Sequence, residues 1–185
     1  TPTVTLKGTD RQLSWQTHGG QLLLPDLAWK MGKIRSQGQY TLLSGVGEGR
    51  MNVGYISSLQ ASPWISPLTL SAHVRQTADK KNHFTFNLAD STLKALAVQV
   101  NGAHNTSRNR GSARIELKPM TWGQGEVELA AISPRLDEQI KNLTGMLGVS
   151  GRVVWNADGM QGGKVDAFLE ELSASASGLT VDGAN

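Results

Sequence analysis

The chain contains no cysteine, which removes disulfide frameworks, thiol nucleophiles, zinc ribbons and iron–sulfur sites from consideration. Charge is scarce too: 18% of the 185 residues are ionic, against about 25% in an average globular domain. Lys and Arg (18) exceed Asp and Glu (15) by only 3. They are scattered apart from small knots at Lys80-Lys81 and Arg108/Arg110/Arg114. Aromatics make up 5%, too few to interleave a basic stripe with stacking platforms, so nucleic acid is not an expected partner. Apolar runs such as Leu22-Leu23-Leu24 are only a few residues long, and none reads as a membrane-spanning helix.

Catalytic constellations are missing as well. The four His (His18, His73, His83, His104) lie apart, without metal-ligand spacing. The adjacent carboxylates Asp137/Glu138 and Glu170/Glu171 cannot face one another as an acid/base dyad. There is no Gly-x-Ser-x-Gly elbow and no Gly-Lys-Ser/Thr phosphate loop, and Gly45-Val-Gly47-Glu-Gly49 reads as a wide turn. No cofactor, metal site or enzymatic activity is expected.

What the chain does have is a period of two. Leu68, Leu70, Ala72 and Val74 alternate with polar residues, as do Phe84, Phe86 and Leu88; Ala113, Ile115 and Leu117; and Val127 and Leu129. Successive strand residues point to opposite sides, so this pattern predicts antiparallel sheet with one apolar and one solvated face. Ala78–Asn82 and Asn156-Ala-Asp158-Gly159 read as hairpin turns, and Asn101-Gly102 as the start of another. Glycine opens a loose Gly–x–apolar–polar–apolar repeat at Gly38, Gly49, Gly125 and Gly163, with Gly151 a near relative, which suggests glycine at strand starts. One segment departs from this period. Ser133 as cap, Pro134 at the first helical position, and Leu136, Ile140, Leu143 and Leu147 predict a helix over 134–144 stopped by Gly145, plugging an open end of the sheet. Five Trp (Trp15, Trp29, Trp64, Trp122, Trp155) read as core or rim anchors, and Trp64 lies in the proline-flanked loop Ser62-Pro-Trp-Ile-Ser-Pro67. The chain opens at Thr1 without Met and stops just after Gly183; it reads as a single elongated β segment, 1–185, cut from a larger protein.

The run Ala131-Ile-Ser-Pro134-Arg-Leu136, then Gly148-Val-Ser-Gly151-Arg-Val-Val-Trp155, Asp158-Gly159, Gly162-Gly163-Lys-Val165, Leu169-Glu-Glu-Leu172 and Leu179-Thr-Val181-Asp-Gly183 resembles the AsmA-like proteins of Gram-negative envelopes, over about residues 125–185. The resemblance implies a mainly β fold, a long and strongly curved antiparallel sheet open as a U (a β-taco). It also implies the periplasmic portion of an inner-membrane-anchored protein, acting as a non-enzymatic phospholipid conduit between inner and outer membranes. On that reading Met51, Val53, Leu70, Ala72, Val74, Phe84, Phe86, Leu88, Ile115, Leu117, Val127, Leu129, Val153, Trp155 and Val165 line an apolar groove and solvate acyl chains collectively. Two rivals stand beside it. One is a scaffold for outer-membrane protein assembly, pairing an outer-membrane protein or lipoprotein at the sheet edge; the other is a β-sandwich binding module with a sealed core. A fragment with an exposed apolar face is also expected to dimerise on truncation.

Overall fold

The computed structural model describes residues 3–61, 63–91, 96–123, 126–176 and 179–184. Eleven strands follow one another: β1 (Thr3–Gly8), β2 (Gln12–Leu24), β3 (Trp29–Thr41), β4 (Val46–Ser58), β5 (Leu68–Gln76), β6 (Lys81–Asp90), β7 (Ala97–Asn105), β8 (Arg110–Trp122), β9 (Ile140–Asn156), β10 (Gly159–Ala176) and β11 (Leu179–Ala184). Their order in the sheet equals their order in the chain, and every neighbouring pair is antiparallel. β1 and β11 are the two edges, so this meander is not closed into a barrel.

Short polar turns explain the hairpins. After β9, the Asn156 side-chain oxygen accepts the Asp158 N–H at 2.8 Å and Gly159 adopts φ 111°, a tight reversal that few side chains tolerate. Between β5 and β6, the Thr77 backbone N–H donates to the Lys81 carbonyl at 2.8 Å while Lys80 takes φ 58°. Bulges shift the register within the longer ladders. One sits between Thr17 and Gly20 around Gly19 (φ 74°), another between Leu117 and Met120.

Three local expectations are corrected. The helix over 134–144 is instead two short helices, α1 (Leu129–Ile132) and α2 (Pro134–Gln139), after which Ile140 turns extended at φ −114°, ψ 123° and opens β9. Pro134 does stand at the first turn, but Ser133 makes no capping bond; its hydroxyl donates to the Trp64 carbonyl. Pairing decides the matter: Ile140 and Lys141 meet Ala176 and Ser175 across the sheet, and Gly145 (φ 111°) pairs with Trp122 rather than ending a helix. Secondly, Val127 and Leu129 do not form a strand. Val127 makes one isolated bridge to Trp122 and Leu129 starts α1. Thirdly, Asn101-Gly102 is not a turn but lies inside β7; the reversal comes at 106–109, where Asn109 takes φ 43°.

The well-covered core is small. Met120, Trp122 and Ile132 are buried together at one end of the sheet, with Leu96, Leu117, Val127, Leu129 and Leu143 against them. Thus the helical segment seals one end of the apolar side of β8 and β9.

Candidate functional site: the apolar sheet face

Cross-strand partners present their side chains on the same face, so the register can be read as rows crossing the sheet. One row runs Leu6–Trp15–Gly38–Gly49–Val74–Phe84–Gly102–Ala113–Val153–Gly163, from β1 to β10. The next row on the same face is Val4–Thr17–Ser36–Met51–Ala72–Phe86–Val100–Ile115–Gly151–Val165. A third runs Val53–Leu70–Leu88–Val98–Leu117–Val149–Ala167 from β4 to β10. Trp155 stands in a flanking row with Gly111 and His104. Thirteen of the fifteen residues expected to line the site therefore share one face. Val127 and Leu129 do not; they pack in the cluster at its end.

Glycines within the strands shape that face. At Gly38 an added Cβ would lie 2.2 Å from the Trp15 ring, at Gly47 2.6 Å from Tyr40, at Gly102 2.3 Å from Phe84 and at Gly111 2.4 Å from Trp155. Each ring thus lies down over its neighbour's glycine instead of standing up from the sheet. Trp15 reaches two strands, since a Cβ at Gly49 would meet it at 3.0 Å. The expectation of glycine at strand starts is corrected accordingly: Gly38, Gly49, Gly151 and Gly163 lie within β3, β4, β9 and β10, and Gly125 falls outside the described residues. Gly47 and Gly49 likewise belong to β4 rather than to a wide turn. The rings also meet one another. Phe84 and Phe86 stand 5.4 Å apart, and Phe84 and Trp155 6.4 Å. The Trp155 indole N–H donates to His104 Nδ1 at 3.2 Å.

The opposite face is polar from β4 to β8, although Val154 and Phe168 stand exposed on it at β9 and β10. Asn87 bridges Ser71 (3.3 Å) and Gln99 (2.9 Å), and Thr85 bonds Asn101 at 2.9 Å. Glu48 accepts from Arg50 at 2.9 Å, with His73 at 3.0 Å; these two hold its carboxyl below the ordinary value, the Arg50 bond most strongly. The apolar side is covered unevenly: Val53, Ala72 and Ala113 on it are buried, while others are open. Val74 and Ile115 are each 38% exposed and Val165 70%. A pocket of about 390 Å³ opens there between Trp15 and Tyr40 on one side and Met51, Ala72, Val74 and Phe86 on the other, with Gln76 and Asn82 at its rim.

Among the described residues no His, Asp and Glu gather into a metal-binding group, and no helix is long and apolar enough to cross a membrane. Compared with known protein families, with curated proteins and with solved structures, the chain matches none.

Proposed function

We propose that the apolar face carries phospholipid acyl chains through water, as a segment of an AsmA-like conduit between the inner and outer membranes of a Gram-negative envelope. The reading is non-enzymatic. The observation that carries it is the contrast between apolar rows crossing as many as ten strands and only seven well-buried apolar side chains among the described residues. A sandwich module seals such a face under a second sheet, whereas all the described strands here belong to one sheet.

Energetics favour the same occupant. Each acyl CH₂ withdrawn from water contributes about 0.8 kcal/mol, so covering half of a sixteen-carbon tail lowers its free energy by about 6 kcal/mol. That suffices to hold a chain without any polar group, and it is spread over many side chains. Glycines that let the rings lie flat leave few ridges for a sliding tail to climb. A face concave toward the lipid is part of this proposal.

The test is native mass spectrometry and organic extraction of the protein purified from a bacterial envelope, beside a Val74→Asp/Ile115→Asp variant. Both sites are open enough to accept a carboxylate without burying it. Phospholipid on the wild type and at least tenfold less on a variant with an unchanged urea midpoint is the expected result. A lipid-free, cooperatively folded wild type refutes the reading.

A further inference from the structure

The two ends of the sheet differ in chemistry. At one end the turns carry Asp10-Arg11, Asp79-Lys80, Arg108 and Asp158, relieved by Leu42-Leu43. The connections at the other end are charged too, with Asp26, Glu126, Glu128 and Glu138 exposed, but they also carry exposed large apolar residues: Leu27 on the 3-10 turn between β2 and β3, and Leu59, Trp64 and Ile65 between β4 and β5, all between 38% and 66% exposed. These two connections are neighbours, because the Leu59 N–H donates to the Ala28 carbonyl at 2.7 Å. The Trp64 segment is also held in place. Its carbonyl accepts the Ser133 hydroxyl, the Ser66 N–H donates to Ile132 O at 2.8 Å, and Pro63 and Pro67 stiffen it. Fixed by α1 and α2 in this way, Trp64 and Ile65 nevertheless face water.

We infer that this end of the sheet docks on a phospholipid surface, with Trp64 and Ile65 entering the headgroup region. The inference rests on the lipid-carrying reading and names the surface at which lipid is exchanged. Three observations select a bilayer over a second copy of the chain. Trp is the side chain best suited to the interfacial level, apolar in body and polar at its N–H. The Arg135 guanidinium lies 4.3 Å over the Trp64 ring, which places a cation where lipid phosphates would meet it. And the patch continues into the apolar face, whose Leu24, Trp29 and Ile56 reach the same end of β2, β3 and β4. A tail leaving a bilayer at these turns meets apolar side chains at once.

The experiment is flotation of the full 185-residue chain with vesicles of 7:3 phosphatidylcholine:phosphatidylglycerol. It compares the wild type, Trp64→Ser/Ile65→Ser, Arg135→Gln and, as a control at the opposite end, Leu43→Ser. Uptake of a soluble fluorescent fatty acid, measured without vesicles, keeps this inference separable from the proposed function. Expected are vesicle binding by the wild type, at least a tenfold loss in the double variant, a smaller salt-sensitive loss in Arg135→Gln, and no change in Leu43→Ser. Fatty-acid uptake is expected to persist in all four. Wild type that takes up fatty acid yet ignores vesicles overturns the docking inference alone. So does a double variant whose change, by sedimentation velocity, is in self-association, which would make the tip a contact between copies. Vesicle binding with no fatty-acid uptake overturns the lipid-carrying reading, and with it the exchange role given to this end.

Discussion

Gly102→Ala separates the ring-over-glycine account from ordinary strand propensity, because the two give opposite signs. Gly102 sits inside β7 with no left-handed backbone requirement, so alanine should restrict the unfolded chain and stabilise by about 0.4–1 kcal/mol. The surroundings oppose this. The new Cβ would lie 2.3 Å from Phe84 Cζ, 2.7 Å from Cε2 and 2.6 Å from the Ser112 carbonyl oxygen. A ring can swing away, but the carbonyl belongs to the β7–β8 ladder and moves only with β8. Overpacking of this kind costs about 1–3 kcal/mol, so a net destabilisation of about 1–2 kcal/mol is expected. Gly162→Ala is the control: it has open space within 4 Å and should be neutral or slightly stabilising. Urea denaturation with an unchanged m value reads the difference as a shift in midpoint. Adding Phe84→Leu closes a double-mutant cycle, in which the ring's share appears as coupling of about 1 kcal/mol and the remainder belongs to the carbonyl. If Gly102→Ala matches Gly162→Ala, the rings do not rest on glycine and the account of this face fails.

Other predictions test the two ends and the polar face. Trp122 buries its indole N–H with no acceptor among the described residues, and an unmet buried donor costs about 1–3 kcal/mol. Trp122→Phe should therefore stay within about 1 kcal/mol of wild type in thermal melts, while Ile132→Ala in the same cluster should lose about 2–5 kcal/mol. Glu48 has a folded pKa below its ordinary value, so its contribution is present above the unfolded value near 4.5 and lost as pH falls through the folded one. Glu48→Gln should thus lower the urea midpoint at neutral pH, with the gap to wild type narrowing from about pH 5 downward; a constant gap refutes the assignment. Asp90, buried at the end of β6, accepts the Leu96 N–H at 3.0 Å, so Asp90→Ala should destabilise by about 1–3 kcal/mol in the same assay.

The sheet was legible in the sequence wherever its evidence was local. Leu68 to Val74, Phe84 to Leu88 and Ala113 to Leu117 alternate because one side of each strand meets apolar partners, and that side is now seen to be common to all three. What escaped was decided by distant pairing. Leu136, Ile140, Leu143 and Leu147 have helical spacing, yet Ile140 pairs with Ala176 and Leu147 with both Met120 and Leu169. A ladder bonded on both sides outweighs the modest preference of one short amphipathic turn. The glycines escaped for the same reason. Gly102 is explained by Phe84 and Gly111 by Trp155, residues 18 and 44 positions away, and only the strand order brings them together.

That strand order also explains how an apolar face can remain partly uncovered without loss of the fold. In a meander each strand is held by its two sequence neighbours, so cohesion comes from ladder bonds and side-by-side contacts along the sheet rather than from one shared core. The buried cluster of Met120, Trp122 and Ile132 secures one end. Elsewhere side chains such as Val74 and Ile115 hold their neighbours laterally and still present atoms to whatever lies above. A sealed core uses up its apolar surface in stabilising the protein; here part of that surface is left over. The lipid-carrying proposal depends on this remainder. It is also why a charge at Val74 or Ile115 should remove a bound acyl chain while leaving the sheet folded, whereas in a sandwich the same charge would lower both together.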